Sequence, residues 1–281
     1  MHDTRLGVLA QESLTCGITR GQCCAINVAE QVGRLHACGV LRVEEPHVDA
    51  GDEGVGAVHE DVAHAFADHV FVGGKCGLYE FLNNQLVAYY NKDNSPLKGA
   101  NDRGTELGND FVLILGIKFD AQGNLWVLNS MAKGVSLLKL SPNHEWTDLH
   151  QPLLTDEAGN TLAGLRDMTI DSRGLLWFVN NNWQDPSLFC YDMENDKLIK
   201  YNNFTNQDGV KYDVTWAYCV AEDRDGNIWV GTNSGPFLIQ KQEIGQESVT
   251  FNQVKVPRND GTNYADYLLS GVSISSIAID G

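Results

Sequence analysis

The chain has 281 residues, of which 43% are hydrophobic and 20% charged, a composition typical of a globular protein rather than a fibrous or disordered one. Its formal net charge of −17 argues against nucleic acid as a partner, because a phosphate backbone would be repelled. No apolar run reaches the length of about 18 residues that predicts a membrane span, and the start of the chain lacks the pattern of a signal peptide.

The first 70 residues differ in composition from the rest of the chain. They contain no Lys, Trp or Tyr, but hold six of the eight His and four of the seven Cys. Their apolar residues keep neither a helical period nor a strand alternation. A small separate domain, a disordered leader and a stretch that is not natural coding sequence are the open interpretations, and we favour the last. The expected boundary therefore separates a segment of doubtful origin, 1–69, from a domain at 70–281.

Metal and cofactor sites are not predicted in the first segment. His59, Glu60 and His64 are spaced one residue too far apart for the zinc motif in which two His share a helix face. The cysteines there, with His36, lack paired Cys-x-x-Cys spacing; they are Cys16, Cys23, Cys24 and Cys38. We expect the later cysteines to be buried thiols; they are Cys76, Cys190 and Cys219.

A motif of the form Asp-x-x-Gly-x-x-Trp recurs after residue 70. Its copies are Asp120, Gly123 and Trp126; Asp171, Gly174 and Trp177; and Asp223, Gly226 and Trp229. The tryptophans are 51 and 52 residues apart, a period that indicates stacked structural units. We expect a structural role for these residues, since Asp and Gly make a tight turn and Trp offers a large surface to bury. Calcium binding at Asp223, Asp225 and Asn227 is not favoured, because the rest of a calcium loop is missing.

Each copy of the repeat predicts four short strands separated by turns. In the copy around Trp177 they are expected at 168–171, 176–180, 188–192 and 198–202. Four-stranded units of this period predict an all-β fold, a partial β-propeller of about four blades, preceded by a poorly structured or unrelated N-terminal segment. We expect the last three strands of one blade, whole blades at 112–149, 166–203 and 214–256, and a first strand at 273–280. Propellers close with 4 to 8 blades, so further blades are expected on both sides.

The motif around Trp229 resembles the two-component-regulator propeller repeat of sensor proteins from Bacteroidetes. The amino-acid sequence between the motifs is similar to that of the propeller region of PorZ-type proteins of the type IX (Por) secretion system. The segments that carry this likeness, which covers about 69–281, are 74–81, 93–97, 172–181, 186–191 and 254–269.

The resemblance implies a protein of the periplasm, outer membrane or cell surface, although this chain shows no export signal. It also implies a role in attaching secreted proteins to lipopolysaccharide. The implied partners are other secretion-system subunits, or an anionic glycan or lipopolysaccharide. The alternative is the periplasmic glycan-sensing propeller of a hybrid two-component regulator. No enzyme is expected, because no nucleophile elbow is present and His144 and His150 are the repeat segment's two histidines.

A ligand is expected on the face where links between blades and links between second and third strands emerge together. The candidate side chains there are Asn180, Asn181, Trp183, Arg258, Asn259, Asp260 and Tyr264. A tight turn needs neither an indole nor an Arg, and these groups stack on sugars or hold an anion. The alternatives are ordinary turn chemistry, and pairing of Arg258 with Asp260 or Asp266.

Overall fold

The computed structural model describes residues 62–66 and 68–279, which form short strands, two single-turn 3₁₀ helices, turns and irregular segments. The strands form successive antiparallel sheets whose order in space follows their order in the chain. This architecture confirms the predicted all-β, partial β-propeller fold with four blades. The unusual composition and the metal candidates before residue 62 lie outside the described residues.

Blade 1 contains four strands, one more than predicted for this part of the chain. They are β1 (Val62–Phe66), β2 (His69–Gly74), β3 (Gly77–Leu82) and β4 (Gln85–Tyr90). β1 pairs with β2 from Val62 opposite Gly73 to Phe66 opposite His69, so this sheet begins eight residues before residue 70. Composition did not reveal β1, because the one aromatic residue of this strand is too little to change the average composition of the first segment.

Blades 2 and 3 have the four strands that the repeat predicts. Blade 2 consists of β7 (Leu113–Phe119), β8 (Leu125–Ser130), β9 (Leu137–Leu140) and β10 (Trp146–Asp148), and blade 3 of β11 (Leu165–Ile170), β12 (Leu175–Asn180), β13 (Ser187–Asp192) and β14 (Lys197–Tyr201). β11 begins earlier than predicted because a bulge between Arg166 and Thr169 interrupts the alternation along the strand. The short strands β5 (Asn101–Asp102) and β6 (Thr105–Glu106) form a hairpin between blades 1 and 2.

Blade 4 has three strands, so the prediction of a fourth within 214–256 was wrong. The strands are β15 (Ala217–Glu222), β16 (Ile228–Thr232) and β17 (Gly235–Ile239). The fourth position is reduced to one bridge between Leu238 and Asn252. After it the chain turns away, because the backbone of Gln253 exchanges two hydrogen bonds with the side chain of Gln207 instead of continuing along β17.

The strand predicted at 273–280 is also absent from the described residues, which end at 279. Residues 272–279 are irregular, although Ile274 donates its N–H to the carbonyl of Thr232 at the end of β16. A strand forms only where a neighbour exchanges backbone bonds with it, and the described part of the chain provides no such neighbour here.

Three hydrophobic clusters of the described residues lie between successive blades, and a smaller fourth one lies on blade 1. Along β12, Leu176 and Phe178 pack in a cluster with blade 2, whereas Trp177 and Val179 pack in a cluster with blade 4. Both faces of the sheet are therefore buried, which explains why these strands read as nearly continuous apolar runs. Cys76, Cys190 and Cys219 are buried as predicted, and burial raises the pKa of the Cys190 thiol to about 12.

The repeated motif forms the same turn in blades 2, 3 and 4. One carboxylate oxygen of Asp120, Asp171 and Asp223 accepts two backbone N–H groups of its turn. The other oxygen accepts the indole N–H of the tryptophan six residues later, at 2.9 Å in each copy. The glycines Gly123, Gly174 and Gly226 have φ of 82, 83 and 83°, a conformation that strains other residues. Each Asp thus fixes both the turn and the tryptophan.

Candidate functional site

Links between second and third strands contact the links between blades, and we call the surface that they form the loop face. In blades 2, 3 and 4, an asparagine at or just after the end of the second strand joins the two kinds of link. The bonds are Asn129 Oδ1 to Lys98 N at 2.8 Å, Asn180 Oδ1 to Gly164 N at 3.1 Å and Asn233 Oδ1 to Thr215 N at 2.9 Å. These asparagines recur because they satisfy backbone donors where regular pairing stops.

Each link between blades forms a hairpin on the loop face. The hairpins are β5–β6, a turn closed by the bridge of Thr155 to Thr161, a turn closed by the bridge of Thr205 to Lys211, and the pair β18 (Lys255–Pro257) and β19 (Ala265–Tyr267). Neighbouring hairpins bind each other through polar side chains: Asn101 donates to Asn160 at 2.6 Å, and Asn206 to Gln253 at 3.0 Å. The first hairpin is thus joined to the second, and the third to the segment that leads into the fourth.

The first predicted group lies in the link between β12 and β13. Asn180 is buried, and its amide donates to the carbonyl of Asp185 at 2.7 Å while its oxygen accepts from Gly164. Its side chain is therefore occupied by the protein itself. Among the described residues, the buried side-chain oxygen of Asn181 accepts no hydrogen bond. Trp183 is 64% exposed, so its indole is available to a partner. Of this group, Trp183 has the surface that ligand binding needs.

The second predicted group lies on the hairpin formed by β18 and β19. Arg258 makes a two-pronged ion pair with Asp266, with N–O distances of 2.8 and 2.6 Å, and this contact holds the pKa of Asp266 below its usual range. The carboxylate of Asp260 accepts from the backbone and hydroxyl of Thr262 within the turn. Asn259 is exposed, and Tyr264 is 68% exposed. The guanidinium is thus already paired, whereas the Tyr264 ring is accessible.

The hairpin that carries Arg258 is fixed to the preceding link by a charged contact that the sequence did not predict. Lys255 Nζ lies 2.7 Å from Asp208 Oδ2, and the Tyr267 hydroxyl donates to the same carboxylate. The bond from Lys255 lowers the pKa of Asp208 and raises that of the ammonium group. No local pattern predicts this contact, because 47 residues separate Asp208 from Lys255.

The two predicted groups are not joined to each other. In residues 68–279 no hydrogen bond or ion pair connects the link at 180–183 with the hairpin at 258–264. The hairpin instead contacts the 205–211 turn of the preceding link. Just after the hairpin, the N–H of Gly271 donates to the carbonyl of Ser234, in the link between the second and third strands of blade 4. The structure therefore contains two separate exposed aromatic positions on the loop face, Trp183 and Tyr264, and two cations that are already neutralised.

Comparison with known proteins agrees with this architecture. Residues 212–234 match the profile of the two-component regulator propeller family. A search of curated proteins found no match. Together, fold and repeat define the chain as a β-propeller that carries a two-component-regulator propeller repeat.

The propeller fold is similar to that of PorZ, a bacterial surface component of the type IX secretion system of Porphyromonas gingivalis. The two share 20% identity at a TM-score of 0.63, over 78% of this chain and 29% of PorZ, so the chain spans well under half of that protein. Virginiamycin B lyase of Staphylococcus aureus also matches, with 10% identity and a TM-score of 0.41, over 82% of this chain and 67% of the lyase. An extracellular domain of a putative hybrid two-component system of B. thetaiotaomicron matches with 15% identity and a TM-score of 0.34, over 73% and 35% of the two chains.

Proposed function

We propose that the chain is a non-enzymatic binding and assembly propeller of a type IX secretion system at the bacterial cell surface. The observation that carries the proposal is the fold similarity to PorZ, whose TM-score of 0.63 extends over 78% of this chain. The regular blades hold the hairpins of the loop face in fixed positions, as expected of a scaffold that presents loops to a partner. In the described part of the chain, no helix is both long and apolar enough to cross a membrane.

The partner that the loop face fits best is another protein subunit. Trp183 and Tyr264 are exposed aromatic residues of the type that concentrates binding energy at protein interfaces. Direct capture of an anionic glycan is less favoured, because Arg258 and Lys255 are paired with Asp266 and Asp208 in a chain of net charge −17. The attachment of secreted proteins to anionic lipopolysaccharide would then be the task of the assembly that this propeller joins.

Deletion of the gene in its own bacterium tests the role. We expect secreted proteins that are normally attached to the surface to appear in the medium. Complementation with a W183A/Y264A double variant should restore attachment poorly, whereas Leu86→Ala, an exposed apolar residue on strand β4, should restore it fully. Surface attachment that is unchanged by the deletion would overturn the proposal.

A second candidate is the periplasmic glycan sensor of a hybrid two-component regulator, which the family match at residues 212–234 favours. The same deletion separates the two, because loss of a sensor changes transcription of glycan-utilisation genes and leaves surface attachment intact. A transcriptional response with normal attachment would favour the sensor.

A further inference from the structure

The first strands of the four blades, β1, β7, β11 and β15, lie next to one another in that order, and we call them the inner strands. In a propeller the blades surround a central channel, and the inner strands are its wall. One position of each inner strand pairs with an aromatic residue of the second strand. These positions are His64 opposite Phe71, Lys118 opposite Trp126, Thr169 opposite Trp177 and Ala221 opposite Trp229. All four are half-buried, and we call them the channel row.

Lys118 is the cation of the channel row, and it has no counter-ion among the described residues. Its ammonium group makes no hydrogen bond or ion pair with any of them, whereas Lys200 and Lys255 each bind a carboxylate. Burial also lowers the pKa of Lys118. An ammonium group that has lost part of its water without gaining a partner is unfavourable. The position therefore favours the binding of an anion.

The two neighbouring inner strands place polar groups close to Lys118. On β1, burial and the charge of Lys118 lower the pKa of His64 to about 4, so its imidazole is neutral near neutral pH. On β11, Asp167 at the bulge acts on the ammonium electrostatically. One of its carboxylate oxygens, however, accepts the N–H of Val220 on β15 at 2.6 Å. Asp167 thus bonds blade 4 and makes no ion pair with Lys118.

We propose that the channel beside Lys118 binds a small organic carboxylate that carries a hydroxyl group, with Lys118 as its counter-ion. The ammonium group donates a charge-assisted hydrogen bond to the ligand carboxylate. A neutral imidazole at His64 and the hydroxyl of Thr169 each donate or accept, as the ligand hydroxyl requires. Asp167 disfavours an anion of higher charge, such as phosphate, because like charges repel across the site. The site lies on the inner strands, so the inference does not depend on the proposed secretion role.

Saturation-transfer NMR of the full chain, with glycolate as the probe, measures this binding. We expect a signal from glycolate and none from glycolamide, which has nearly the same shape but no charge. Acetate should displace glycolate, whereas inorganic phosphate at the same concentration should displace little of it. The proposal is overturned by the absence of a glycolate signal, by an equal signal from glycolamide, or by phosphate that displaces glycolate as well as acetate does.

Substitutions assign the binding to the channel row. Lys118→Met should weaken glycolate binding about tenfold, the loss of one charge-assisted hydrogen bond. Lys197→Met, at an exposed lysine on β14, is the matched control and should bind glycolate like the unmodified chain.

Asp167→Asn tests the same site in the opposite direction. Asparagine still accepts the Val220 N–H and tolerates the φ of 56° at this position. Removal of the negative charge beside Lys118 should tighten glycolate binding about threefold, a gain that a folding defect cannot imitate. An affinity that is unchanged in both Lys118→Met and Asp167→Asn would show that glycolate binds elsewhere and would overturn the proposal.

Discussion

At the scale of single residues, the repeated aspartate determines more than a turn. In blade 3, the Asp171 side chain is fully buried, and it binds two backbone N–H groups, the indole of Trp177 and the guanidinium of Arg173. Arg173 in turn donates to the carbonyl of Gly226 in blade 4 at 2.6 Å. One carboxylate therefore links a turn, a core tryptophan and a contact between blades. The invariant spacing of six residues between Asp and Trp is the signal in the sequence from which the indole bond could have been predicted.

Asp171→Ala is expected to lower the free energy of unfolding by about 3 kcal/mol, because it leaves buried donors and a guanidinium without their acceptor. Asp225→Ala is the matched control, since Asp225 is exposed and its carboxylate makes no contact of this kind. Urea denaturation of both variants at one pH measures the difference. Similar losses for the two variants would mean that the Asp171 contacts contribute little.

At the scale of elements, strand β1 contacts blade 2 through its last residue. The ring of Phe66 packs against that of Phe119, with centroids 5.2 Å apart, and lies over the turn at Gly123. A Cβ atom at Gly123 would be 2.7 Å from Phe66, whereas a Cβ at Gly174, in the same turn of blade 3 with nearly the same φ, would meet nothing within 4 Å. The two glycines thus differ chiefly in whether a strand of the preceding blade covers them.

Gly174→Ala should cost about 1 kcal/mol of unfolding free energy, the ordinary penalty of a left-handed conformation. Gly123→Ala should cost distinctly more, because Phe66 must also move. Thermal or urea unfolding of both variants measures the comparison, and in a Phe66→Ala background the two costs should become equal. Equal costs in the unmodified chain would show that β1 does not pack on blade 2.

At the scale of the whole molecule, stability depends on the contacts between blades, since three hydrophobic clusters each join two neighbouring blades. In blade 1, Phe71 and Leu78 form a cluster with Ile114 and Ile117 of blade 2. The first strand of that blade is β1, which lies before the boundary at residue 70 that composition predicts. The proposed division into 1–69 and 70–281 is therefore best tested by where deletion begins to cost stability.

Deletion of residues 1–69, which removes β1, should lower the melting temperature further than deletion of residues 1–61, which retains it. The physical reason is the loss of five paired residues and of the Phe66–Phe119 contact. Differential scanning calorimetry of the two shortened chains measures the effect. Identical melting temperatures would place the start of the propeller after β1, where composition alone puts it.

The sequence alone determined the repeat, the four-stranded blades and the motif turns, because they depend on local patterns: a period of 51 or 52 residues, strand alternation and glycine at a positive φ. It also led to the prediction that Trp183 and Tyr264 bind a ligand, and that role stays a prediction. Only the tertiary structure showed that Asn180 and Arg258 are occupied by Gly164 and Asp266, that blade 4 stops at three strands, and that Glu80 meets His144. Most of these outcomes depend on partners that are distant along the chain, and a local pattern carries no information about such partners.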